Sequence, residues 1–387
     1  MARTWIYLAL LTAVSSPYLY DRYLVGSDLF SNRPGALQPF NHFKQHEVKF
    51  QNRIRNCEDV VLAEAQGLAI LSCDPGRDRW NTVMGTFATE KGVPEGGLWL
   101  YDYLSANIGD EQALQPLHLR GFKTADFHPL GLDWEADNSM LYVSNHARTG
   151  PEILVFSGNL RNGYVDFFMK FKNDLVHAPN SIHSIGNGRL FITNDHHVTA
   201  ASSPLLAQLE TYSGVPGGSV VYADLNSYAR TAAKLVARVP FANGVTMLNA
   251  TTLAVASSSK PGVYFFDVDR QFNLTAKGYM RAPAGVDNLS VDGNGKLLMA
   301  GHPFVPALTK VAKQRPGCVP GSEKEEEKSA CECGAPSWAA EWSEEGGLKE
   351  LYKGYEFCSS TTLVRDTKRG VGMMSGLYER GLLVFKE

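Results

Sequence analysis

Short apolar runs bounded by Gly, Pro, Asn or Asp recur along most of this sequence, and that punctuation constrains the fold more than any other feature. Examples are Gly67-Leu-Ala-Ile-Leu-Ser, Gly97-Leu-Trp-Leu-Tyr, Met140-Leu-Tyr-Val-Ser, Arg189-Leu-Phe-Ile-Thr, Thr252-Leu-Ala-Val-Ala and Gly381-Leu-Leu-Val-Phe. Such runs read as β-strands. Helical periodicity is scarce, with Ser203 to Tyr212 the best candidate. This argues against a doubly wound α/β fold, which needs a helix between most strands. The runs also repeat. Asn187-Gly-Arg-Leu-Phe-Ile-Thr is echoed by Asn294-Gly-Lys-Leu-Leu-Met-Ala and, more loosely, by Asp137-Asn-Ser-Met-Leu-Tyr-Val-Ser. Recurrence at roughly 40 to 60 residues suits the four-stranded blades of a propeller, about six of them. A β-sandwich is the alternative, but its strands would not need the repeat.

This reading assigns residues 46–387 to an all-β, six-bladed β-propeller. Within it, residues 313–345 read as a polar insertion: Glu323-Lys-Glu-Glu-Glu-Lys-Ser, then Cys-Glu-Cys and Trp338-Ala-Ala-Glu-Trp. At the other end, Arg3 precedes an apolar run from Trp5 to Val14, followed by Ser15, Ser16 and Pro17. That layout is a secretory signal over residues 1–17, leaving 18–45 as an N-terminal segment before the first blade. The expectation is a secreted protein or one in the secretory pathway. Tyr18 to Val25 is again fairly apolar, so an uncleaved N-terminal anchor, with membrane association, is the alternative.

Six cysteines fit that compartment. Cys57 and Cys73 lie symmetrically about Ala65 in a strand–turn–strand unit and could face one another. Cys318, Cys331 and Cys333 could pair among themselves or with Cys358. Sequons stand at Asn249, Asn273 and Asn288. A formal charge of −3 argues against nucleic-acid binding, which needs a basic surface.

Four distant segments place oxygen-bearing side chains beside turns: Asn56-Cys-Glu-Asp, Pro179-Asn-Ser-Ile, Phe241-Ala-Asn-Gly and Val286-Asp-Asn-Leu. They offer Glu58, Asn180, Asn243, Asp287 and Asn288: two carboxylates and three carboxamides. Calcium accepts such neutral and anionic oxygens, whereas zinc or copper favours nitrogen and sulfur. Ordinary turn chemistry is the competing explanation for each residue taken singly. With Asn288 in the metal site, its sequon is expected to stay unmodified.

With these phrases, together with Phe191-Ile-Thr-Asn-Asp-His and Gly301-His-Pro, the chain resembles the paraoxonase and arylesterase family of calcium-dependent lactonases, most of all its fungal members. The likeness runs from about Cys57 to the C-terminus, apart from the insertion. It implies a central calcium-binding tunnel in which Glu58, Asn180, Asn243, Asp287 and Asn288 hold a catalytic Ca2+. The ion would polarise an ester or lactone carbonyl while a histidine assists the attacking water. Where the family often has Pro-His-Gly, this chain has Pro129-Leu130-Gly131. His128, two positions from Leu130 and on the same face of an extended strand, is a candidate substitute. His146 matches the second histidine of the family's dyad, and His196 and His302 match positions near the cavity. Asp59 and the backbone carbonyl of Leu132 match ligands of a second, structural calcium. The expected aspartate after Asn180 is Ser181, and losing a carboxylate weakens a divalent site.

The function expected is therefore calcium-dependent hydrolysis of small carboxylic esters or lactones. The alternatives are non-hydrolytic lactone chemistry in secondary metabolism, which Leu130 motivates, and a non-catalytic ligand-binding propeller. A serine hydrolase is disfavoured because no Gly-x-Ser-x-Gly elbow is present.

Overall fold

The computed structural model describes residues 2–90, 92–105, 109–123, 126–227 and 232–387. Antiparallel pairing organises most of them into six groups of four strands. The first group starts with Arg55–Ala63, the second with Pro129–Glu135, the third with Pro179–Ser184 and the fourth with Ala242–Asn249. The fifth starts with Gly285–Val291 and the sixth with Ser360–Asp366. The second to fifth groups are separate sheets. The first and sixth merge into one sheet because the long strand Val371–Arg380 also pairs with Arg55–Ala63, through Gly376 opposite Cys57. The six opening strands touch one another in a closed ring, a propeller-like arrangement.

Six apolar clusters fill the gaps between successive groups. Ile70 and Leu100 meet Trp134 and Val143 between the first two. Phe191 and Val220 meet Val245 and Leu253 between the third and fourth. The ring closes where Ile54, Val60 and Leu71 meet Met373 and Val384. A strand buried on both faces is predominantly apolar, as in the wholly buried Leu68–Cys73 and Thr252–Ser257, which is why both read so clearly in the sequence. The outer strand Leu274–Arg281 is largely exposed and correspondingly polar.

Hydroxyl groups add a second, polar set of ties. Ser72 Oγ donates to Leu130 O (2.6 Å), Ser144 Oγ to Pro179 O (2.8 Å) and Thr193 Oγ1 to Asn243 O (2.6 Å). Ser258 Oγ donates to Val286 O (2.8 Å), and Ser375 Oγ to Glu58 O (3.2 Å). Each joins one group to the opening strand of the next. Between the fifth and sixth groups, Ser290 Oγ donates to Leu363 O at 2.6 Å.

Every opening strand slips register against its neighbour near its start. The slips fall between Cys57 and Asp59, Pro129 and Leu132, and Pro179 and Ile182. The others fall between Ala242 and Val245, Val286 and Leu289, and Ser360 and Thr362. A bulge inserts an unpaired residue and re-aims side chains. Glu58, Leu130, Asn180, Asn243 and the Asp287-Asn288 pair all sit within these slips.

The secondary structure crosses several of the expected boundaries. The insertion ends before 336, not at 345: Pro336–Ser343 is a strand of the fifth group, with Trp338, Ala339 and Ala340 fully buried. Its beginning also overlaps the helix Val305–Gln314, which the sequence reading missed. At the N-terminus one helix, Ala2–Ser31, runs through the expected 17/18 boundary, and strand Gln45–Lys49 straddles 45/46. The helix lies on the body: Tyr18 Oη donates to Ser213 O, and Arg22 Nη1 to Ser259 O (2.9 Å). No helix among the described residues is long and apolar enough to cross a membrane. The cysteines pair as Cys57–Cys73, Cys318–Cys331 and Cys333–Cys358. The first spans the paired strands as the sequence suggested.

Candidate active site

At the ring's centre, Glu58, Asn180, Asn243, Asp287 and Asn288 are all buried. Glu58 Oε1 accepts a hydrogen bond from Asn288 Nδ2 at 2.9 Å. The same amide donates to Thr362 Oγ1 at 3.0 Å, and Asn243 Nδ2 donates to Ser258 Oγ at 3.0 Å. The amide nitrogens of Asn243 and Asn288 are thus engaged, which fixes their orientation: turning Asn288 over would press its oxygen against a carboxylate. Four buried oxygens are left without partners: Glu58 Oε2, Asn180 Oδ1, Asn243 Oδ1 and Asn288 Oδ1. Each such orphan costs about 1–3 kcal/mol. Acceptors gathered without donors form a set that a cation would complete. Burial pushes the Glu58 carboxyl well above its usual range, and the nearby Asp59 and Asp287 carboxylates add to the effect. Among the described residues, no group of three or more His, Cys, Asp or Glu side chains is placed to hold a metal. The set depends on its amides.

The backbone here admits no bulk. A Cβ at Gly131 would lie 2.3 Å from Asn180 O, and one at Gly244 2.4 Å from Leu289 N. These glycines let neighbouring opening strands approach closely enough to bring the bulged residues together.

A cavity of about 130 Å³ adjoins the cluster. Glu58, Asn180, Asp287 and His302 give it a polar floor, while Leu130, Phe241 and Leu308 supply apolar wall. His302 Nε2 donates to Asp287 Oδ2 at 2.7 Å, and its Nδ1 is buried without a partner. The carboxylate therefore sets the tautomer and leaves the other nitrogen able to accept a proton.

The remaining histidines stand elsewhere. His146 donates from Nε2 to Pro179 O (2.5 Å) and accepts from Thr82 at Nδ1; burial lowers its pKa. It ties down the carbonyl just before Asn180 but does not line the cavity. His128 pairs with Asp74 (3.1 Å) and does not line the cavity either, whereas Leu130 does. The bulge between Pro129 and Leu132 interrupts the two-residue alternation, so His128 and Leu130 part company, against the sequence expectation. His196 bridges Asp195 Oδ1 (2.8 Å) and Thr211 Oγ1 (2.7 Å). Burial works to lower its pKa, but Asp195 and Glu210 raise it on balance.

Asp59 is placed differently from Glu58. Its Oδ2 accepts from Leu132 N (2.8 Å), and its Oδ1 from Thr362 Oγ1 (2.8 Å) and Val60 N (2.8 Å). Burial raises its pKa to about 6 against these three donors. Asp59, Leu132 and Ser181 line a separate cavity of about 250 Å³. Thr362 and Ser258, which hold the amides of the central set, were not singled out in the sequence. Ser257-Ser-Ser and Ser360-Thr-Thr carry no motif, and Thr362's partner Asn288 lies far away in the chain.

The strand ring, its buried oxygens and the adjoining cavity describe a site, and the activity class comes from comparison. The arylesterase family matches the sequence over residues 82–323, a span that includes Asn180, Asn243, Asp287 and Asn288 but not Glu58. The chain belongs to that family, and its activity class is hydrolysis of esters or lactones. No curated relative matches the sequence. Among solved structures it is similar to a gluconolactonase from Xanthomonas campestris, with 13% identity and TM-score 0.50, covering 92% of each chain. It is also similar to a luciferin-regenerating enzyme, with 11% identity and TM-score 0.51, covering 90% of this chain and 96% of that one. At such identities the likeness concerns the fold.

Proposed function

We propose that the chain is a calcium-dependent hydrolase of small carboxylic esters or lactones. The observation that carries this reading is the set of four unpartnered buried oxygens, from Glu58, Asn180, Asn243 and Asn288; the first two of these residues, with Asp287, line a largely apolar cavity. Glu58, Asp287 and the three carboxamides would hold the ion. Bound there, calcium would polarise the substrate carbonyl and stabilise negative charge developing on its oxygen. The chain's own residues do the rest. Asn288 donates to Glu58 and so keeps its amide oxygen free. Leu130 and Phe241 pack the apolar part of the substrate and exclude water. His302, held through Nε2 by Asp287, takes the proton of the attacking water at Nδ1. Leu130 closes the position that carries an imidazole in many relatives, so His146 and His128 act on the scaffold rather than on substrate.

One ion per chain suffices in this reading, because Asp59 is already satisfied by three donors. Three disulfides and the basic-then-apolar start of the sequence support passage through an oxidising, secretory compartment. The test is metal analysis of the purified protein coupled to turnover of phenyl acetate and a set of aliphatic lactones, before and after chelation. One calcium per chain, with activity lost on chelation and restored by calcium alone, is expected. Activity that survives complete calcium removal overturns the reading.

A further inference from the structure

The helix Val305–Gln314 begins three residues after His302 and forms one side of the cavity. Val305, Leu308 and Thr309 recur at helical spacing, so they share the face that looks into it. Leu308, with Val311 and Ala312, also packs against Ala335, Cys358, Leu377 and Tyr378, and Cys333 and Met84 border the same cluster. A helix this short has little stability of its own and depends on what it packs against.

Beyond its C-terminus the chain makes an excursion and returns to the same helix. Arg315 is buried and donates through Nη2 to Tyr378 O, with Nη1 3.6 Å from Asp78. Cys318–Cys331 then closes a loop whose short helix Glu325–Ser329 has no buried residue. Cys333–Cys358 pins the returning chain to the end of strand Gly347–Cys358, within the apolar cluster that backs the cavity wall. The charged stretch faces water, while Cys333–Cys358 and Arg315 face the wall.

We propose that residues 315–335 are a disulfide-held brace that fixes this helix as the size-limiting wall of the cavity, with Leu308 setting how large an acyl group is accepted. The inference rests on the hydrolase reading above for its substrate and on the packing alone for its mechanics. The brace acts at a distance from the reacting atoms; Leu308 touches the substrate's apolar part.

The test uses the full chain with three variants: Cys333→Ser with Cys358→Ser, Cys318→Ser with Cys331→Ser, and Leu308→Ala. Hydrogen exchange is followed at the amides of 305–314. About tenfold faster exchange there in the first variant, with strand Leu297–His302 unchanged, is expected. Phenyl esters from acetate to octanoate are then compared. The ratio of kcat/KM for long over short acyl groups should rise about fivefold in the first variant and in Leu308→Ala, while calcium affinity is unaltered in the cysteine variants. Cys318→Ser with Cys331→Ser should shift both readouts in the same direction but less. Unchanged exchange in the helix overturns the brace, and an unchanged length ratio in Leu308→Ala overturns the wall. Should the wild-type protein hydrolyse no ester, the functional reading falls. The same length series offered as free carboxylic acids, with binding read by calorimetry, then decides the wall without turnover.

Discussion

Glu58 and Asp59 are neighbours in sequence, lie in the same strand and are equally buried, yet their surroundings differ in kind. Asp59 accepts from Leu132, Thr362 and Val60, so the chain supplies its donors. Glu58 accepts from Asn288 alone, and Oε2 remains unpartnered, as do the amide oxygens of Asn180, Asn243 and Asn288. The first carboxylate is finished by folding. The second belongs to a set that folding leaves short of positive charge. The contrast shows why a buried acid is weak evidence for a metal until its donors are counted.

The sharpest way to break the comparison is at Asp287, which joins the acidic centre to His302. Asp287→Ala should lower kcat/KM on phenyl acetate by about 10²-fold or more, since one anionic ligand and the histidine's anchor go together. Asn243→Ala removes a single neutral oxygen. It should weaken calcium binding about tenfold by titration, with a parallel loss of rate at limiting calcium. On the finished side the effects should be on stability. Thr362→Val deletes the hydroxyl shared by Asp59 and Asn288 and should cost about 1–2 kcal/mol in urea unfolding, whether or not calcium is present. A larger loss of calcium affinity than of stability would erase the distinction between the two sides.

The smallest effect concerns His183, which lines the Asp59-side cavity. Burial lowers its pKa to about 4 from the usual 6.5. The unfolded chain therefore takes up a proton that the folded chain refuses. Stability is intact above about pH 6.5 and falls as the pH drops towards 4, by well under the roughly 3 kcal/mol that the full shift corresponds to, because the side chain is only half-buried and water screens it. In His183→Gln that part of the pH dependence should disappear from denaturation curves taken between those limits.

The middle strands were legible because burial on two faces leaves an uninterrupted apolar run, as at Leu68–Cys73 and Leu297–His302. The opening strands were not. Pro129-Leu-Gly, Pro179-Asn-Ser and Ala242-Asn-Gly look like turns, and the register slips that make them useful also remove the alternation that marks a strand. Outer strands such as Leu274–Arg281 were hidden by their polarity. Trp338-Ala-Ala-Glu-Trp was absorbed into the charged stretch before it, although two tryptophans flanking small residues suit a packed strand. At the site, residue types could be read because calcium chemistry selects oxygen. Which oxygens are spare could not be read. That depends on Ser258, at the end of the neighbouring strand, and on Thr362, a hydroxyl delivered by another sheet. Nor did the sequence show that a bulge would turn His128 away from Leu130.

Strand Gln45–Lys49 lies beside Leu382–Lys386, so the sixth group is stitched from segments more than three hundred residues apart. During synthesis the earlier segment must wait, unpaired, until nearly everything between has been made. Thr362, which steadies Asn288 and touches Glu58 O, arrives late as well. On the proposed site, the nascent polypeptide would lack a finished centre while it is still being threaded out, and activity is expected only once the ring has closed.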